Sequence, residues 1–169
     1  SFSRYESRFL HINLAFDAFT IAGIRAGKTP YGTASAEMLY QNCMFSNSTT
    51  GLQLLSANQY DNSLEGCLFA DCGIGLDDQI GNFYLRNTRF ERSTDVDIVA
   101  SAHSNSVRRV VSVNSSSFVR VQPTSASSEL KIDDCRVARW TKSGPAVTFG
   151  ARGPLQVIDS SFTDAPAGT

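Results

Sequence analysis

One eight-residue phrase recurs down this chain and constrains its fold more than any other feature. An apolar-x-apolar strand is followed by two polar residues, a small Cys, Ser or Thr, any residue, and then Phe or Val. It reads MLYQNCMF from Met38 to Phe45, NSLEGCLF from Asn62 to Phe69 and FYLRNTRF from Phe83 to Phe90. It returns as VSVNSSSF from Val111 to Phe118, LKIDDCRV from Leu130 to Val137 and LQVIDSSF from Leu155 to Phe162. By subtraction, the closing Phe or Val positions lie 24, 21, 28, 19 and 25 residues apart. A period of this size marks a solenoid, in which each repeat buries its apolar face only against its neighbours.

Within each phrase the alternation has period 2, which is strand chemistry. Tyr40, Leu64, Leu85, Val113, Ile132 and Val157 form one inward column, and Phe45, Phe69, Phe90, Phe118, Val137 and Phe162 a second. The alternate positions are mostly polar, and Asn62 is the one poor fit to its apolar column. A further short strand follows most phrases, at Gly51–Leu54, Gly73–Leu76, Asp95–Ile98 and Ala146–Phe149. Each coil therefore carries about three short strands separated by Gly, Asn, Asp and Ser bends. Asn42, Asn87, Ser115, Asp134 and Asp159 are expected at one of those bends, where short polar side chains tolerate left-handed backbone. No capped amphipathic segment of helical length interrupts the strands.

The expected fold is all-β: a right-handed parallel β-helix of about six coils in a single domain. The handedness follows from the strong bias of parallel crossovers. Residues 1–37 read as an atypical first coil with an insertion, 38–162 as the regular coils and 163–169 as a loose tail. The start, Ser1-Phe2-Ser3-Arg4-Tyr5, has neither an initiating Met nor a leader-like order, so the chain reads as a processed product or an excised piece of a longer β-helix protein.

The net charge of -1 gives no electrostatic footprint for nucleic acid. No apolar run approaches the roughly 20 residues that a membrane span needs. Cys43, Cys67, Cys72 and Cys135 follow no metal-ligand spacing. Three of them share the small position of the phrase with Thr88, Ser116 and Ser160, which predicts a column of small, buried, reduced side chains. Cys67 and Cys72 are the pair to test for a bridge, because Cys72 lies outside that column.

The FYLRNTRF phrase followed by Asp97-Ile98 resembles the coil pattern of the right-handed parallel β-helix superfamily, the pectate-lyase-like proteins, and the likeness covers roughly residues 38–162. It implies a carbohydrate-active or carbohydrate-binding module for an acidic extracellular polysaccharide, lyase-like or glycosidase-like if it is an enzyme. The alternative within the same superfamily is a non-catalytic adhesin or spike segment used in assembly. Either reading places the chain outside the cell or at its surface.

The densest acidic group is Asp77-Asp78, joined one coil later by Asp95 and Asp97. Asp97 alternates with Val96 and Ile98 and is expected to face solvent. Carboxylates paired on one exposed sheet can act as general acid and base on a glycosidic bond, or can hold Ca²⁺ through several oxygens. The catalytic candidates are thus Asp77, Asp95 and Asp97, with His103 for proton transfer and Arg108 to neutralise a uronate. Asp78, Tyr84 and Trp140 are the substrate-binding candidates, the aromatics because exposed rings stack on sugars. The terminal coils present unpaired strand edges, so more coils or copies of the chain are expected to cover them.

Overall fold

The computed structural model describes residues 10–26, 37–55, 60–101, 103–122 and 128–165. Among these, twenty short strands stack in parallel into three sheets. The first coil of chain contributes β1 (Leu10–Ile12), β2 (Ala15–Asp17) and β3 (Ala22–Ala26), and the second β4 (Leu39–Gln41), β5 (Met44–Ser46) and β6 (Thr50–Leu54). The third holds β7 (Asn62–Glu65), β8 (Leu68–Ala70) and β9 (Ile74–Asp78), and the fourth β10 (Phe83–Arg86), β11 (Arg89–Glu91) and β12 (Val96–Ala100). Then come β13 (His103–Arg108), β14 (Val111–Val113) and β15 (Val119–Val121), followed by β16 (Ser128–Asp133), β17 (Arg136–Ala138) and β18 (Val147–Phe149). A last partial rung has β19 (Leu155–Ile158) and β20 (Ser161–Thr163). Each strand pairs with its equivalent one coil away, giving a β-helix with two sheets of seven strands and one of six.

Two bends per coil are built from the same local device. The turn from the first to the second sheet passes through Asn13, Asn42, Gly66, Asn87, Arg109, Asp134 and Asp159. The turn from the second to the third passes through Ala18, Asn47, Asp71, Arg92, Asn114, Arg139 and Asp164, and every one of the fourteen has φ between 46° and 66°. That is the left-handed region, which Asn, Asp and Gly adopt at least cost. At several of them the next residue is a small one that turns inward, and its hydroxyl or thiol donates back to the carbonyl two residues earlier. Ser48 Oγ reaches Ser46 O at 2.8 Å and Thr88 Oγ1 reaches Arg86 O at 2.9 Å, while Cys72 Sγ and Cys135 Sγ make the sulfur version at 3.5 and 3.3 Å. Those carbonyls also accept a backbone amide of the preceding coil, from Ala18, Gly66, Asn47 and Arg109 respectively, so the back-donation gives the inward hydroxyl or thiol its own partner. All four cysteines are free and buried; Cys67 and Cys72 follow different bends and are not bridged.

The fourth phrase is the place where the structure departs from the repeat read in sequence. Val107 of β13, not Val113, pairs with Leu85, and Ser112 of β14, not Phe118, pairs with Phe90. Ser115 accordingly belongs to the second bend, and Arg109 takes the first-bend position expected of it. By subtraction the core positions Phe45, Phe69, Phe90, Ser112, Val137 and Phe162 lie 24, 21, 22, 25 and 25 residues apart, a more even period. A further rung precedes the first phrase: His11 stacks on Tyr40 at 4.9 Å and Phe16 on Phe45 at 5.1 Å. Leu14 at the small position hid it from the pattern. Of the atypical first coil read over residues 1–37, residues 1–9 and 27–36 lie outside the described residues.

The interior is a continuous column of Phe, Leu, Val and Ile side chains, nearly all fully buried. At its two ends the packing opens. Leu10, Ile12 and Ile21 in and around the first rung, and Leu155, Val157 and Ile158 in the last, are exposed.

Candidate functional site

The structure disperses the acidic group. Asp77 points outward from β9 and is covered, its Oδ2 accepting from Gln53 Nε2 at 2.9 Å and Gln79 Nε2 at 3.0 Å. Asp78, expected to touch substrate, instead shares the inward column with Leu54 and is fully buried; its Oδ1 accepts from the Gly81 amide at 3.0 Å. Burial pushes its carboxyl up to about 7. Asp95 sits at the entry to β12, where Arg120 of β15 clamps it with Nη1–Oδ1 and Nη2–Oδ2 distances of 3.0 and 2.7 Å. That ion pair, with Lys142 nearby, holds its carboxyl below the ordinary range.

Asp97 corrects the sequence reading most sharply. Its exposure is 0%, and it faces the interior rather than solvent. The chain bends as it enters the third sheet, so the residue opposite Gly75 turns toward the core instead of following the strand alternation. Trp140, expected as an exposed platform, is 9% exposed; it covers the end of the core, with Nε1 donating to Gly144 O at 3.1 Å. Arg108 is exposed on the first sheet, 3.5 Å from Asp133 Oδ2. Among the described residues no group of three or more His, Cys, Asp or Glu is placed to hold a metal ion.

His103 and Tyr84 lie in a different setting. A hollow of about 420 Å³ runs along the leading ends of the first-sheet strands, lined by Tyr60, Asn82, His103, Ser104, Glu129 and Pro154. Tyr60 belongs to the third rung, Asn82 to the fourth, His103 and Ser104 to the fifth, Glu129 to the sixth and Pro154 to the seventh. At about 4.8 Å per rung the lining spans about 19 Å of the helix axis. The imidazole of His103 stands edge-on to the Tyr60 ring, centroids 5.3 Å apart at 78°. Ser104 Oγ donates to Glu129 Oε2 at 3.2 Å across paired strands. Asn82 Oδ1 accepts from the Asp61 amide at 2.8 Å, and the Tyr84 hydroxyl donates to Asp61 Oδ1 at 3.3 Å. His103 has φ of 76°, strained for a residue with a side chain. β13 and β16 are six residues long where other first-sheet strands have three or four, and the extra length at their starts lifts these side chains to the rim.

Tyr60, Asn82 and Glu129 escaped the sequence reading. In register, Asp61, Asn82, Ser104, Glu129 and Pro154 form one column, each standing one residue before Asn62, Phe83, Asn105, Leu130 and Leu155 respectively. That polar column is visible only once the fourth repeat is correctly placed.

A β-helix whose rungs are this regular, carrying a polar and aromatic hollow beside one sheet, defines a class of solenoid proteins rather than one chemistry. The family model for the right handed beta helix region matches residues 31–169, and the chain belongs to that family. Neither the curated proteins nor the solved structures hold a match to it.

Proposed function

We propose that this chain is a non-catalytic carbohydrate-binding β-helix module, and that the hollow beside the first sheet takes a neutral oligosaccharide lying along the helix axis. The observation that carries this reading is the lining itself: one aromatic ring, an amide, an imidazole, a hydroxyl and a carboxylate, set out rung by rung. The exposed ring of Tyr60 offers a sugar an apolar platform and a polar tip. The volume falls within the roughly 300–1,000 Å³ typical of small-ligand sites. An extended peptide is disfavoured, because β10, β13 and β16 are hydrogen-bonded on both sides and offer no open edge for strand addition. Glu129 in the lining and Asp61 behind it disfavour uronates, which narrows the acidic glycan suggested by the family resemblance to a neutral one. Binding rather than turnover is favoured by the dispersal of the carboxylates: two are interior and one is neutralised by Arg120. Such a module belongs outside the cell or at its surface.

An array of neutral and acidic oligosaccharides, with a parallel assay for reducing ends and unsaturated uronates, tests the proposal. Tyr60→Ala should weaken neutral-glycan binding by about tenfold, the equivalent of about 1.4 kcal/mol, and no product should be released. Product release that disappears in Asp77→Asn would establish an enzyme instead.

A second reading, assembly, is favoured by the apolar side chains left exposed on the first and last rungs. These edges are suited to stacking on another β-rung, from the same polypeptide or from a second copy. Light scattering should show concentration-dependent association that Val157→Asp abolishes; a monomer at all concentrations would count against it.

A further inference from the structure

Asp97 sits in a column of the third sheet that is otherwise apolar or glycine. In the third sheet the residues in its column, one per rung, are Gly23, Gly51, Gly75, Asp97, Phe118 and Ala146. The glycines are there because the ring of the next rung lies against them. A Cβ on Gly51 would come within 2.7 Å of Phe69 Cδ1, and one on Gly75 within 2.6 Å of Phe90 Cε1. Beside Asp97 the next rung offers Ser112 instead of a ring, and the carboxyl fills the space. Ser112 Oγ donates to Asp97 Oδ2, Ser93 and Ser115 flank the group, and Oδ1 has no hydrogen-bond partner.

The elements around it supply no compensating charge. The bend before β9 contributes the Cys72 thiol, a titratable neighbour that is itself pushed up by burial. The bends before β12 and β15 contribute Ser93 and Ser115, and β14 contributes Ser112. No Lys, Arg or His side chain is among its partners. An isolated ionised carboxylate in such a place is costly enough that the neutral acid is favoured. As the neutral acid the group keeps the bond from Ser112 and places no uncompensated charge in the core.

We propose that Asp97 is a proton-held latch between the fourth and fifth rungs, seated in the core as the neutral acid and loosening that junction when it ionises. Burial pushes its carboxyl up to about 7, against the ordinary aspartate value near 3.9, and the serine hydroxyls offset only part of that rise. Because the folded value lies above the unfolded one, the contribution is fully present below about pH 4 and is lost as pH rises through about 7. Asp78 acts in the same direction.

The test is denaturant unfolding of the full chain from pH 4 to 8. The folding equilibrium constant of the unaltered chain should fall by at least about tenfold between pH 5 and 7.5, one linked proton giving up to about tenfold per pH unit. Asp97→Asn should lose that proton's share and keep the part due to Asp78. A flat or rising profile in the unaltered chain, or an Asp97→Asn profile parallel to it, overturns the proposal. Should the variant fail to fold, a carbon-13 titration of the Asp97 carboxyl in the unaltered chain decides. A midpoint above about 6 supports the latch, and one at or below about 6 overturns it.

Discussion

The first four rungs and the next two solve the same packing problem from opposite sides. In the first four, the second sheet supplies Phe16, Phe45, Phe69 and Phe90, stacked with centroids 5.1, 4.8 and 4.8 Å apart and planes within 13°. The facing column of the third sheet is glycine in the first three rungs, at Gly23, Gly51 and Gly75, each against the ring of the rung that follows. In the fifth and sixth rungs the second sheet retreats to Ser112 and Val137, and the third sheet answers from the rung before each, with Asp97 and Phe118. Phe118 reaches across to Phe162, 6.5 Å away at 64°, in an edge contact rather than a stack. What is conserved along the interior is the summed volume of facing positions, not the residue at either one. A close-packed core demands that sum and is indifferent to which wall supplies it.

Substitutions that attack each region separately sharpen this contrast. The largest effect is expected from Phe69→Ala, which removes a ring stacked on both faces and should cost about 3–5 kcal/mol in urea unfolding. Phe118→Ala should cost less by about 1 kcal/mol, since aromatic pairing adds about 0.5–1.5 kcal/mol per pair beyond burial and Phe118 has one ring neighbour in place of two. Equal costs would mean that the stack adds nothing to simple burial.

Next in size is an exchange that moves the boundary between the regions by one rung. Ser112→Phe alone drives a ring into Asp97 and should destabilise by about 1–3 kcal/mol. Adding Asp97→Gly recreates the Phe-over-Gly arrangement of the earlier rungs and should restore the loss, a coupling of about 0.5–3 kcal/mol between touching sites. Additive effects would show that the facing columns are independent.

Much of the fold is legible in the sequence because a solenoid repeats its local solution. The Asn, Asp and Gly at left-handed bends, the small Ser, Thr or Cys after them and the apolar alternation all recur at one period, and each has a local cause. The pattern failed at the first and fourth repeats for physical reasons. Leu14 fills a small position near the exposed end of the stack, where crowding is relaxed. Around Val111 the phrase is imitated by the second bend, Asn114-Ser115, followed by Phe118 on the opposite wall.

The candidate site was less legible. Asp97 looked exposed because strict alternation was carried through a bend that turns the side chain inward. Asp78 was grouped with Asp77 as an exposed acid, but adjacent strand residues face opposite ways, so Asp78 enters the core while Asp77 faces outward under Gln53 and Gln79. His103 and Tyr84 were picked out singly, but the hollow that His103 lines, with Tyr84 outside it on Asp61, depends on Tyr60 and Glu129, which lie 43 and 26 residues from His103 by subtraction and meet only through stacking.

The sequence by itself determined the strands, the bends and their period, since these follow from backbone preference and alternation within about ten residues. Only the tertiary structure decided which wall fills the core at each rung, and so which acids are interior and which side chains gather at the hollow. Both depend on what lies one coil away, where a shift of a few residues in register replaces every neighbour.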